Sequence, residues 1–175
     1  MNNQPANSDK ARDALWDIVW TLNYKSLYAL DVAKFMVRKW TIFDLVTRLL
    51  LALFATSSAI SGWAAWKTDA GKIFWAIASG LTAFASIVDG VISSQEKIKR
   101  YTQSMGGLTR LTQALQSLMD QMRINPEFDL QKTTGDFDKQ HQAYVDIVQA
   151  YPVDVFLTRN SENEIQEALD KYINK

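Results

Sequence analysis

The sequence predicts an all-α protein, a two-transmembrane helical hairpin flanked by cytosolic amphipathic helices that form a bundle. Three observations carry this expectation. Two uncharged runs, Leu49–Trp66 and Ile73–Val88, follow one another closely. The segments on either side repeat apolar residues every three or four positions, the period of a helix. Basic residues gather outside the pair of runs rather than between them. The expected division is an N-terminal cytosolic amphipathic helix over 1–40, the hairpin over 41–94 and a C-terminal cytosolic helical region over 95–175.

Composition narrows the function classes. Nineteen basic residues balance nineteen acidic ones, so there is no global positive field of the kind that marks a nucleic-acid binder. The chain has no cysteine, which excludes disulfides, thiolate catalysis and Cys-ligated zinc, and its single histidine, His141, excludes a multi-His metal site. Met1 to Ser8 is polar and has neither the basic nor the apolar region of a cleaved signal, so the hairpin is expected to direct insertion.

The first helix is expected from Asp9 to Trp40, with Ser8 as its N-cap and Asp9 and Asp13 near the positive end of its dipole. Leu15, Val19, Leu22, Ala29, Ala33, Met36 and Trp40 make an apolar stripe that Ser26 interrupts. Trp16, Trp20, Tyr24 and Tyr28 add an aromatic edge. Such a helix lies on a membrane surface or packs on a partner helix, and packing is preferred because the later helices also have apolar faces to cover. Thr41-Ile-Phe-Asp44 has the spacing of a capping box, so a new helix is expected to start there.

Leu49–Trp66 is eighteen residues without a charge, bounded by Arg48 and Lys67. After Lys67–Lys72 the second run passes Asp89 and continues through Gly90, Val91 and Ile92. At about 1.5 Å per residue, such runs approach the ~30 Å hydrocarbon core of a bilayer. The alternative is the central hairpin of a soluble bundle, but a chain of 175 residues has little else with which to cover two all-apolar helices. Trp40, Phe43, Trp63, Trp66 and Trp75 stand near the ends of the runs, as rings at the headgroup layer do. Lys34, Arg38, Lys39 and Arg48 precede the hairpin, Lys97, Lys99, Arg100 and Arg110 follow it, and Lys67 and Lys72 lie between the runs. That asymmetry puts both termini in the cytoplasm.

On the second run Ser79, Thr82, Ser86, Asp89 and Ser93 are three or four apart and form one polar stripe, with Ala76, Gly80, Ala83 and Gly90 beside it. Small and hydroxylated residues serve helix packing in a membrane, and an intramembrane acid also marks a water-lined path; both readings stand.

Beyond the hairpin, Ile98, Tyr101, Met105, Leu108, Thr112, Leu115, Met119 and Met122 form a heptad seam that Leu111 and Leu118 widen. It presents more apolar surface than one neighbouring helix covers, so it is expected to drive self-association. Gly106-Gly107 is expected to be a bend, and Asn125-Pro126 a stop. Glu127 to Gly135 reads as a loop anchored by Phe128 and Leu130, and Asp136 to Tyr151 as a helix carrying Phe137, Tyr144, Ile147 and Val148. Val153 to Arg159 reads as an extended link or a helical turn. A capping box at Ser161–Glu164 then opens a last helix with Ile165, Leu169, Tyr172 and Ile173.

The glycines fit no phosphate loop, dinucleotide fingerprint or nucleophile elbow, and no metal motif is present. His141, between Gln140 and Gln142, reads as a surface or interface histidine, and Asp136, Asp138 and Asp146 as a solvated helix face. No catalytic residue, metal or cofactor is expected, and the chain is not expected to be an enzyme.

The layout resembles the two-transmembrane SLATT domains of bacterial nucleotide-signalling conflict systems. The resemblance rests on a leading helix with Leu15-Trp16 and Tyr24, the hairpin from Leu49 to Ile92, the exit Lys97-Ile-Lys-Arg-Tyr101, and a helical tail with Tyr144 and Tyr151-Pro152. It implies a pore-forming or membrane-disrupting effector of antiphage defence in the bacterial inner membrane. Such an effector forms a homo-oligomer in the lipid bilayer and takes a nucleotide-signalling or sensor protein as partner. A membrane-anchored scaffold that recruits a cytosolic partner, or a small channel or holin-like protein, are the alternatives.

Overall fold

The computed structural model describes residues 5–60, 68–73, 76–77, 79–80, 83, 93–125, 129–150 and 154–174, with side chains of the first helix over 10–52. All regular structure among these residues is helical: α1 (Pro5–Ile60), α2 (Ser94–Ile124), α3 (Leu130–Gln149) and α4 (Arg159–Ile173). Short helical stretches also occur at 69–73, 76–77, 79–80 and 83.

α1 is a single helix of 56 residues, so the expected break at Thr41 does not occur. Pro5 suits the first helical position, and from there to Ile60 the sequence holds neither glycine nor a further proline. Ending a helix at Thr41 would leave two sets of orphan backbone groups to satisfy, whereas continuing leaves none. Asp44, expected in a capping box, instead accepts from Arg48 Nε at 3.0 Å on the next turn.

The chain divides into two compact units, one of Met1–Met36 with Arg100–Lys175 and one of Val37–Lys99. Most of the first and last expected segments therefore share a unit.

The core of the first unit joins Leu15, Val19, Leu22, Leu30 and Ala33 of α1 to Leu108, Leu111, Leu115, Leu118 and Met122 of α2. Met105, Phe137, Tyr144, Ile147 and Val148 pack on its edge. The α2 seam is thus filled within the chain: Tyr101, Leu108, Thr112, Leu115, Met119 and Met122 are all buried. Most of the residues expected at an oligomer contact are therefore taken up within the chain, because α3 adds Phe137, Tyr144, Ile147 and Val148 to the cover that α1 gives, while Ile98 and Met105 stay half-buried. Ser26 is fully buried in the α1 stripe without cost to its hydroxyl, which donates to the Leu22 carbonyl at 2.7 Å. The Arg12 guanidinium donates to the Met122 carbonyl near the end of α2.

α3 begins at Leu130, earlier than expected, because Asp129 is a strong N-cap whose carboxylate accepts from the Gln131 and Lys132 amides at 2.9 and 3.1 Å. The helix then runs through Gly135, whose intrinsic cost of about 1 kcal/mol is offset by the cap and by Leu130 and Phe137 on the core. The last helix is capped by Thr158 rather than Ser161: the Thr158 amide donates to Ser161 Oγ at 2.9 Å and the Ser161 amide returns to Thr158 Oγ1. Before it, Asp154 folds the link into a turn by accepting from the Phe156 and Leu157 amides, and its carboxylate also takes the buried Tyr101 hydroxyl at 3.0 Å.

α2 continues through Gly106 and Gly107, where a bend was expected, and Gly107 is a helix-packing position. A Cβ at Gly107 would lie 2.9 Å from Ile147 Cδ1 on α3, whereas one at Gly106 meets nothing within 4 Å. Gly107→Leu is therefore expected to destabilise the first unit by about 1–3 kcal/mol. Gly106→Leu is expected to stabilise it by up to about 1 kcal/mol. Thermal unfolding of the two variants checks this, and equal shifts would mean that Ile147 does not press on Gly107.

In the second unit, Thr68 caps the helical stretch that starts at Asp69, accepting from the Gly71 and Lys72 amides, so residues 69–72 of the expected loop are helical. Among the described residues no helix is long and apolar enough to cross a membrane. Much of the two uncharged runs, including Trp63, Trp66 and Trp75, lies outside those residues.

Candidate functional site

Along α1 the inward face keeps one spacing while its chemistry changes. Val19, Leu22, Ser26, Ala29, Ala33 and Met36 are buried, and Trp40, Asp44 and Thr47 continue the same three-and-four rhythm. In the second unit the outward face carries a row of large apolar residues beside the exposed Arg38, Lys39 and Arg48: Ile42, Leu45, Val46, Leu49 and Leu50 are 43–56% exposed, while Asp44 and Thr47 are 9% and 7% exposed. Ile73 and Ile77 are also exposed, at 63% and 59%. A helix in water keeps such a row of large apolar residues inside and turns its acids outward.

The start of α2 supplies the other side of this polar interior. Gln95 Nε2 donates to Asp44 Oδ2 at 2.9 Å, and the preceding Ser94 is 1% exposed. Asp44 Oδ1 is buried with no hydrogen-bond partner among the described residues. One turn before Asp44, Trp40 is 2% exposed, edge-on to Phe43, with Lys97 Nζ 5.8 Å from its ring centre. Trp40 is thus an interior residue covered by an ammonium, not the headgroup ring expected of it. Just before Ser94, Ser93 has φ 48°, left-handed backbone that few non-glycine residues adopt.

Of the expected polar stripe, Ser79 is helical and exposed, and Ser93 stands off the helix at the left-handed residue. Thr82, Ser86 and Asp89 lie outside the described residues. Asp44, Thr47 and Ser94 are polar interior residues, with the exposed Gln95 bonded to the first, and no sequence motif marks them as interior. The register of the α1 stripe, carried four residues past Trp40, is the one signal that points to Asp44.

In the first unit three tyrosines have surroundings that shift them. The hydrogen bond to Asp170, with desolvation adding to it, raises the Tyr24 phenol above its ordinary 10.0, and the bond from Gln166 lowers it. Burial raises Tyr28, assisted by the charge of Glu162, and burial raises Tyr144. All three therefore stay protonated and are weak nucleophiles near neutral pH. His141 is exposed and stacks on Phe137 at 5.9 Å. Asp136 pairs with Lys139, and Asp146 accepts from Gln142. A groove of about 870 Å³ between α2 and α3 carries Asp120, Asp129 and Asp136 beside Lys132, but Asp129 is engaged as a cap and Asp136 in its ion pair. Among the described residues no three His, Cys, Asp or Glu side chains gather as metal ligands do. Comparison with family models, curated proteins and solved structures finds no match to this chain.

Proposed function

We propose that the chain is a membrane effector that inserts its hairpin into a bilayer and opens it to ions. Its setting is the bacterial inner membrane, with both termini in the cytoplasm. The observation that carries this reading is the exposed apolar row of α1, with Leu45, Val46, Leu49 and Leu50 outward while Asp44 and Thr47 are inward. Apolar surface of this extent is stable against lipid, and a polar interior has a use where water or ions pass. The uncharged runs Leu49–Trp66 and Ile73–Val88 supply the lengths, and Asp89 supplies an acid near the basic exit at Lys97. Copies of the chain assembled around the polar face would place rings of acids along the path, which favour cations. The likeness to SLATT domains adds antiphage defence and a nucleotide-signalling or sensor partner to the proposal.

The second reading is a membrane-anchored scaffold, favoured by the well-packed first unit, which can present a partner surface whether or not the hairpin conducts. The two part in vesicles. Reconstituted wild type is expected to pass cations over anions, and Asp89→Asn is expected to lose that preference while keeping conductance. Wild-type vesicles that never conduct, with Asp89→Asn as toxic as wild type on overexpression, would leave the scaffold in place of the pore.

A further inference from the structure

We propose that Asp44, Gln95 and Ser93 form a strained latch at the base of the hairpin, holding the start of its first leg to the residues that follow its second in a closed arrangement that the effector leaves when it acts. The inference rests on the membrane-effector reading above. Asp44 is 9% exposed, and both of its bonds fall on one oxygen: Oδ2 takes Gln95 Nε2 at 2.9 Å and Arg48 Nε at 3.0 Å. Oδ1 is buried and, among the described residues, has no partner. A carboxylate has room for about four donors, so a bare buried oxygen is unfavourable until water or a donor reaches it.

Across the Gln95 hydrogen bond lies a second unfavourable feature. Ser93, two residues before Gln95, holds φ 48°, where an L side chain crowds the backbone. The closed contact therefore joins a half-satisfied acid on α1 to a left-handed residue at the entry to α2. Moving the start of α2 away from Asp44 relieves both. It does not strand the acid, because Arg48 stands one turn along the same helix, with its side chain 63% exposed, and keeps the ion pair. Lys97 over the buried Trp40 ring marks the same closed side, one helical turn from Asp44. Two arrangements of similar free energy, each with its acid paired, are what a switch needs.

Two single substitutions in the full-length chain test this in opposite directions. Gln95→Leu removes the donor across the legs at similar size. Ser93→Gly removes the left-handed cost without touching the bond. In vesicles of phosphatidylethanolamine and phosphatidylglycerol, Gln95→Leu is expected to raise dye release several-fold. Ser93→Gly is expected to lower it by about fivefold, the population shift from relieving one left-handed L residue. Amide hydrogen exchange over 93–100 in detergent gives a readout that needs no leakage, expected faster in Gln95→Leu and slower in Ser93→Gly. Release that moves the same way in both variants, or exchange unchanged in both, overturns the latch. Vesicles that stay sealed with wild type and both variants overturn the membrane-effector reading instead, and the exchange rates still decide whether the legs are latched.

Discussion

Replacing Leu108 and Leu115 together by Asp is expected to unfold the helical bundle of the first unit rather than to dissolve an assembly of bundles. Both side chains are 0% exposed, and both face the α1 stripe in the core. Each substitution loses the packing of a buried leucine, about 2–5 kcal/mol, and places a carboxylate where no donor waits for it, at a further cost of several kcal/mol. The pair thus reaches or exceeds the roughly 5–15 kcal/mol that holds a typical domain together. Far-ultraviolet circular dichroism and thermal melts of the detergent-solubilised chain should show a large loss of helix and of the cooperative transition. A double variant that keeps its helix and its melt but falls from oligomer to monomer would restore the seam as a contact between copies.

The outward face of α1 in the second unit is expected to respond just as sharply. Leu49 and Leu50 are 53% and 43% exposed, and in water changing such residues to Asp alters stability by about 0.5 kcal/mol or less. Against lipid the same change costs up to about 3 kcal/mol per residue. Leu49→Asp with Leu50→Asp is therefore expected to move most of the chain out of the carbonate-washed membrane fraction and to abolish toxicity on overexpression. The bundle of the first unit is expected to melt as in wild type. Unchanged membrane retention in the double variant would mean that this face does not meet lipid.

How far these features are legible in the chain depends on what each residue answers to. The α2 seam and the α1 stripe can be read because apolar spacings of three and four, repeated over many turns, fit a helix with one buried face and no other regular structure. Local signals mislead where a stronger neighbour wins. Thr41-Ile-Phe-Asp44 has capping spacing, but a helix ends only where something stops it, and no glycine or proline does so before Ile60. Asp129 outweighs Gly135 at the start of α3, and Thr158 displaces Ser161 as the last cap because the turn at Asp154 sets the chain's entry.

Gly107 has the look of a hinge because closeness to Ile147 is a tertiary fact that no local window contains. Asp44 is hard to read for the same kind of reason. A charge on an otherwise apolar stripe reads as an interruption until the outward face is known to carry an apolar row, and only then does it become an interior acid. The orphan oxygen on that acid and the left-handed Ser93 belong to three-dimensional structure alone.

The central claim is that the apolar face of α1 beyond Met36 lies against lipid. Because the chain has no cysteine of its own, a single introduced thiol reports its surroundings without interference. Leu49→Cys and Gln116→Cys, both at exposed positions, are to be compared in vesicles holding the full-length chain, using a membrane-impermeant maleimide. The thiol at position 116 is expected to label readily and the one at 49 to resist until detergent is added. Equal labelling of both in intact vesicles, or a chain that stays in solution and labels at both sites without lipid, would contradict the claim.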